Sequence, residues 1–419
     1  MRSLIDGWAA RAVTRALERL VLGQLRLDGP GMTRTFGRGP GPRASMQVHD
    51  PRVFRRALTG GEVGLGEAYM DGDWSTPDLV ALVRLVLANR EVLAALPSAP
   101  AWAGRWWNAV GHRWRDNTRN GSRRNSHAHY DLGNRFFRLF LDANLLYSCG
   151  YFEHPSDSLE IAQINKLQRV CDKLQLSPHD HVLEIGSGWG GFALYAATRY
   201  GCRVTTTTIS AEQLAHVADL LAWNPAAAGR ITLLQQDYRT LRGRFDKIVS
   251  IEMFEAVGLR HYDEFFARCQ ALLAPDGLML LQAITVDDWR FDDYLRTPSW
   301  IAKYIFPGAE LASLARIMES LARVTRMSPF HVEQIGSHYA RTLHEWRRRF
   351  MDRLPEVRAQ GFDERFIRMW DLYLAFCEAA FLERHIGDVQ ILFSMAGNTR
   401  TLYGEPWLEG RVPAAALVP

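Results

Sequence analysis

The sequence predicts an α/β protein: a mostly parallel, doubly wound sheet preceded by a smaller α+β unit. Three observations carry this. From residue 155 onward, helical periodicities alternate with short apolar runs, the rhythm of strand–helix–strand winding. The first of those runs leads into "VLEIGSGWGG" (182–191), which sets Gly186, Gly188, Gly190 and Gly191 directly behind a strand. A polar, basic, breaker-rich stretch, "RWRDNTRNGSRRNSHAHYD" (113–131), parts that half from the one before it. The 419 residues, 47% of them apolar, suffice for a large core and for two domains.

Taken in order, residues 4–21 put Leu4, Ile5, Trp8, Ala9, Ala12, Val13, Ala16, Leu17, Leu20 and Val21 on one helical face, with Arg2, Arg11, Arg15 and Arg19 off it. A basic amphipathic helix of this kind either packs on its own domain or lies on a membrane. Residues 29–45 read as a loop or turn-rich strand connection, and 46–100 as a small mixed unit with helices at 51–58 and 77–95. The expected domains are 1–110 and 129–405, joined by a linker over 111–128. The second domain reads as helix 157–174, strand 181–186, helix 190–199, strand 202–208, helix 211–222, strand 231–236, strand 245–251, helix 261–273 and strand 277–284. More helices follow 297, with a closing strand at 389–395.

Charge is unevenly placed. Residues 1–130 hold 19 Arg, no Lys and 11 acidic residues, 19 − 11 = +8, which leaves 31 − 35 = −4 for the rest. A basic N-terminal part on an acidic body points to a polyanion, either nucleic acid or an anionic membrane face. The 5 cysteines are scattered, odd in number and without CxxC spacing, which argues against a disulfide framework or a metal site and for a reducing compartment. Arg84 and Arg90 interrupt the best apolar stretch, and the N-terminus lacks a signal-peptide core. The expectation is a cytoplasmic protein that touches the inner face of a membrane without crossing it. A homodimer is among the assemblies the sequence allows.

Which ligand does the glycine loop hold? No Lys follows it, so it is not a P-loop. Gly186, Gly188 and Gly191 do match dinucleotide spacing, so spacing alone leaves that ligand open. Glu184, two residues before the first glycine, suits an ammonium and not a pyrophosphate. S-adenosylmethionine has an ammonium, a sulfonium and no phosphate, and E-x-G-x-G-x-G resembles the first motif of Rossmann-like methyltransferases. The next strand ends in Thr208 and Ser210, with Gln213 three residues on as a candidate for the ribose hydroxyls. Thr208 and Ser210 also suit a strand end and a helix N-cap. Asp237 and Tyr238, after the third strand, are candidates for the adenine.

Further stretches together resemble one family, the cyclopropane-fatty-acyl-phospholipid synthases and the related mycolic acid cyclopropane synthases. They are "GLGEAYMDGDW" (64–74), "HYDLGNRFF" (129–137), "LLYSCGYF" (145–152), "TISAEQ" (208–213), "VSIEMFEAVG" (249–258), "YIFPGAELAS" (304–313) and "HYARTLHEW" (338–346), with the glycine loop in family order among them. The resemblance implies a Rossmann-like S-adenosylmethionine methyltransferase domain behind an N-terminal lipid-binding domain. The implied substrates are unsaturated phospholipids at the membrane surface, with no nucleic acid. The implied reaction places a methyl on a cis double bond of an acyl chain, and a base then removes a proton so that a ring closes. In the family that base is a bound bicarbonate, held by a Cys, a Glu, a His, an Ile backbone and a Tyr.

Residue by residue, the resemblance assigns Cys149 of "YSC", with Tyr147 and Ser148 as cofactor contacts, Glu255 of "MFE", Ile284 of "LLQAIT" and Tyr339. Gln282 stands where the family reads His. An amide can still hold an ion but cannot relay a proton, so the alternative outcomes are loss of a different proton, giving a methylene-branched chain, or methylation followed by later steps, giving a methyl-branched one. Cys377 matches a Cys credited to the active site, and on an apolar helical face it equally suits the core. Phe152, Phe254, Tyr304, Phe306 and Tyr339 are candidate wall residues of an aromatic tunnel, each equally suited to plain core. Two other classes compete: a small-molecule or nucleic-acid methyltransferase, and a lipid-binding protein without activity. The acidic second half opposes nucleic acid, and Cys149, Glu255 and Tyr339 oppose inactivity.

Overall fold

The computed structural model describes residues 2–94, 132–297 and 299–400. The expected linker (111–128), and the stretches around it from 95 to 131, lie outside the described residues.

The N-terminal unit opens with a helix, Arg2–Leu17, that buries Ala9 and Ala16 and leaves Arg11 and Arg15 in solvent. Its Trp8 is 56% exposed and not on the packed face. The stretch expected to be a loop or a turn-rich strand connection holds part of a four-stranded sheet. Strands β1 (Gln24–Gly29), β2 (Met32–Phe36), β3 (Arg43–Val48) and β4 (Trp74–Ser75) lie in the order β2-β1-β3-β4. In β1, Leu25 and Leu27 are buried while Arg26 is exposed, the alternation of a half-buried strand. The helix expected at 51–58 runs over Arg52–Met70, broken at Gly61, where φ is 52°. The single helix expected over 77–95 is two, Leu79–Ala88 and Arg90–Ala94. Asn89 stands at the break because its side chain serves another segment: Oδ1 accepts from the N–H groups of Val21 and Leu22, and Nδ2 donates to the Leu22 carbonyl.

The second sheet has seven strands in the order β10-β11-β9-β8-β5-β6-β7. Strands β5 (His181–Ile185), β6 (Arg203–Thr208), β7 (Ile231–Gln235), β8 (Phe245–Ile251) and β9 (Leu273–Val286) are parallel. Strand β11 (Ile386–Met395) runs antiparallel between β9 and β10 (Met327–Gln334). Alternate residues feed two cores, as a sheet covered on both faces requires. Val182, Leu280 and Leu392 pack with the helices Leu159–Leu174 and Gly191–Tyr200. Leu183, Leu281 and Ile391 pack with Tyr262–Leu272 and Leu314–Val324. Strand β10 was not expected: it is an exposed edge containing Pro329 and shows no apolar run.

A third core ignores the expected domain boundary. Leu27, Phe54, Tyr69 and Trp74 of the N-terminal unit share it with Trp346, Phe350 and Trp370 of the helices Gly336–Asp352 and Glu364–Leu382. Polar ties reinforce the seam: Tyr69 donates to Asp371 (2.8 Å), Arg84 pairs with Glu383 (2.6 Å) and Lys303 with Glu67 (2.6 Å). No helix among the described residues is long and apolar enough to cross a membrane.

Candidate active site

The carboxyl ends of β5, β6 and β7 carry the glycine loop and its neighbours. Gly186 takes φ 97°, and a Cβ there would stand 3.1 Å from Met253, so the turn needs glycine. The Gly186 and Ser187 N–H groups both donate to the Thr207 carbonyl, fixing the loop to β6. Gly188 and Gly190 also have positive φ, and the helix Gly191–Tyr200 starts at once. Glu184 is buried; Thr206 donates to it at 2.5 Å, and desolvation pushes its carboxyl up to about 8.

Thr208 donates to Gln213 Oε1 (2.8 Å) and accepts from the Ser210 N–H, while Ser210 Oγ caps the helix Ala211–Ala222 at Gln213. The strand-end and N-cap reading of Thr208 and Ser210 therefore holds. Asp237 gives both oxygens to Arg239, and Tyr238 packs edge-on against Phe265. The segment 144–148 closes the near side: Leu146 lies against Gly191, and a Cβ on that glycine would be 2.7 Å from it. Behind it, the fully buried Lys166 donates to Ser148 Oγ (2.7 Å). Tyr147 shares a 2.8 Å hydrogen bond with the hydroxyl of Tyr373.

The ends of β8, β9 and β11 carry a different set of groups. Glu252, just beyond β8, holds φ 49°, a left-handed conformation that costs a non-glycine residue roughly 1–2 kcal/mol. Its Oε1 accepts from the Cys149 N–H (2.8 Å) and Gln282 Nε2 (2.8 Å), and its Oε2 from the Tyr339 hydroxyl (2.6 Å). Gln282 Nε2 also donates to Asp388 (2.9 Å), and its Oε1 accepts from Gln390 (3.0 Å). Glu255 accepts from the Ile284 N–H at 2.5 Å.

Three carboxyl groups thus share one buried space. Burial, then the charge of Glu252, pushes Glu255 up to about 8. Burial, then Glu252 and Glu255, raises Asp388 well above the usual carboxylate range, and burial raises Glu252. One oxygen each of Glu255 and Asp388 finds no hydrogen-bond partner among the described residues. Cys149 is fully buried, and burial together with Asp388 and Glu252 holds it as the thiol.

Sequence reasoning assembled Cys149, Glu255, Gln282, Ile284 and Tyr339, and the structure brings all five together. It missed Glu252 and Asp388. The available signal was a charge inside an apolar run: "VSIEMFE" and "HIGDVQILF". The donors assigned by resemblance to a bicarbonate (Cys149, Gln282 and Tyr339) are instead engaged by Glu252, so the ion does not fit this arrangement. Cys377 makes no hydrogen bond among the described residues, and burial, then Glu62, raises its thiol to about 12. Of the aromatic candidates, Phe306 joins Tyr147 and Tyr373 at the site, while Phe254 packs into the core with Tyr262 and Phe265. Phe152 lies under Arg341, and Tyr304 donates to Glu67. Tyr147, Tyr339, Phe306, Trp346 and Tyr373 wall the space beside the carboxyl groups.

This sheet order, with the glycine loop at its switch point, is the doubly wound arrangement that holds nucleotide-like ligands, and the matches that follow make the chain an S-adenosylmethionine-dependent methyltransferase. Residues 117–391 match the family described as mycolic acid cyclopropane synthetase, and the chain belongs to that family. It is 36% identical over 393 residues to the tuberculostearic acid methyltransferase UfaA1 of Mycobacterium tuberculosis, covering 91% of this chain and 90% of that one. It is 38% identical over 363 residues to the cyclopropane-fatty-acyl-phospholipid synthase of Escherichia coli, covering 84% and 88%. Among solved structures, the mycolic acid cyclopropane synthase CmaA1 in complex with SAH and CTAB superposes with a TM-score of 0.61 at 32% identity, over 65% of this chain and 98% of that one.

Proposed function

We propose that this enzyme methylates a cis double bond in phospholipid acyl chains at a membrane surface and closes the product to a cyclopropane, with Glu252 as the base. The observation that carries the reading is the convergence of Cys149, Gln282 and Tyr339 on the Glu252 carboxylate beside an aromatic wall. Gly186, Gly188, Gly190, Glu184, Thr208, Ser210, Gln213, Asp237, Tyr238, Tyr147 and Ser148 are the residues that would hold S-adenosylmethionine. When bound, it supplies an electrophilic methyl group to the alkene.

An alkene is a weak nucleophile, and methyl transfer leaves a carbocation on the chain. The aromatic wall excludes water and faces that cation with π density. Glu252 takes a proton from the new methyl, and the released C–H pair closes the ring. Tyr339, Gln282 and the Cys149 N–H fix the carboxylate, so it meets the methyl in one orientation. Glu255 and Asp388, held towards protonation, keep net charge in the space low.

A second reading has one specific support. With the base tethered and Gln282 unable to relay a proton, a hydride shift before deprotonation yields a methylene-branched chain from the same methyl proton. The similarity to UfaA1, a relative named for methyl transfer and not for a cyclopropane product, supports this reading. The test is to incubate the protein with S-adenosylmethionine and vesicles of cis-unsaturated anionic phospholipid, then identify the fatty acids by gas chromatography and mass spectrometry. Cyclopropane chains are expected. Branched chains would select the second reading, and unmodified lipid with cofactor bound would remove the substrate assignment.

A further inference from the structure

Arg90, Arg290 and His385 meet where the N-terminal unit closes on the end of β9, and the chemistry above uses none of them. Arg90 opens the helix Arg90–Ala94, Arg290 ends the turn after β9, and His385 immediately precedes β11. Arg90 Nη1 lies 2.7 Å from His385 Nδ1, and Arg290 Nη1 lies 2.9 Å from His385 Nε2. Arg290 also donates to the His385 carbonyl. A neutral imidazole has one acceptor nitrogen, and a protonated one has none. The ring therefore cannot satisfy both guanidinium groups at once.

Carboxylates do not make up the difference. Arg290 reaches only the half-exposed Asp287, at 3.5 Å, and Arg90 pairs with no carboxylate among the described residues. Burial, then Arg290 and Arg90, drives His385 down to about 3, so the ring adds no charge of its own. Two planar cations with surplus N–H donors, converging on one point, form an anion cradle.

We propose that Arg90 and Arg290, on either side of His385, bind a phosphate group, of a lipid headgroup or free in solution. The lipid source rests on the methylation of phospholipids proposed above, and two observations favour it. Trp289, 72% exposed, stacks under Arg90, so the cradle is flanked by an exposed aromatic of the kind found at membrane interfaces. His385 is also three residues from Asp388, so at a strand rise of ~3.3 Å the cradle lies ~10 Å from the carboxyl cluster. On this proposal a headgroup held there would leave its acyl chain to run towards Glu252.

The test compares wild type with Arg90→Ala and Arg290→Ala. The readouts are KM and kcat on cis-unsaturated phosphatidylglycerol vesicles, S-adenosylmethionine affinity, and thermal stabilisation by inorganic phosphate. Each substitution should raise KM roughly tenfold or more, with kcat and cofactor affinity near wild type. Unchanged KM, together with phosphate stabilisation present in wild type and absent in the variants, would keep the site and assign it to free phosphate. If neither quantity depends on Arg90 or Arg290, the proposal is overturned. Should wild type modify no lipid, the substrate reading fails, and the phosphate arm still decides this one. Cofactor affinity reports folding in both variants.

Discussion

The two ends of the same crevice are built on opposite principles. At the ends of β5, β6 and β7, polar side chains satisfy one another: Thr206 on Glu184, Thr208 on Gln213, Ser210 on the Gln213 N–H and Arg239 on Asp237. Such a surface is set in advance and only has to receive a ligand. At the ends of β8, β9 and β11, three carboxyl groups crowd together, two with an oxygen left over, and one sits on strained backbone. That arrangement is costly to bury and has free capacity for a proton. On the function proposed above, the difference marks where binding would stop and chemistry begin: the satisfied polar groups would hold the cofactor, and the frustrated ones would act on the substrate.

The sharpest way to break this comparison is Glu252→Gln. The amide keeps the shape and loses the base, so turnover should fall by ~10²–10⁴ while S-adenosylmethionine affinity stays near wild type, read by steady-state kinetics and calorimetry. Loss of cofactor affinity instead would mean that the two ends are one unit.

The next effect is a pH dependence. Glu255 is raised from 4.5 to about 8, so the contribution of its protonated form to stability is full below about 4.5 and is lost as pH rises through about 8. Thermal melts from pH 6 to 9 should show Tm falling with pH, and Glu255→Gln should flatten the slope. An unchanged slope would show that Glu255 is not the group responsible.

A smaller effect is expected at the seam. Asp371 accepts from both Tyr69 and Arg347, so Asp371→Asn should cost roughly 1–3 kcal/mol and lower Tm, with kcat little changed. Smallest is Gly186→Ala. A side chain at φ 97° strains the loop, so cofactor affinity should drop several-fold and stability should fall by roughly 1 kcal/mol. A larger change in kcat than in affinity would erase the division of labour.

Much of this was legible in the sequence. The parallel sheet announced itself because strands buried on both faces read as apolar runs, and the glycine loop because its backbone tolerates no substitutes. Cys149, Glu255, Ile284 and Tyr339 were found through motif resemblance, as was the departure at Gln282. Strands β2 and β10 were not legible, since exposed strands carry polar residues without a pattern. Nor was the shared core: Tyr69 and Asp371 are 302 residues apart, and nothing local marks them as partners. Glu252 escaped because its meaning depends on three donors from three separate segments.

The most direct measurement is the turnover of wild type and Glu252→Gly in bicarbonate-free buffer and after adding bicarbonate. Glycine suits the positive φ and clears the space the carboxylate fills. If the chain carries its own base, wild type will be indifferent to bicarbonate, and Glu252→Gly will be inactive until the ion is supplied. Wild-type turnover that collapses when bicarbonate is removed, or a Glu252→Gly variant that works without it, would contradict the assignment of Glu252 as the base.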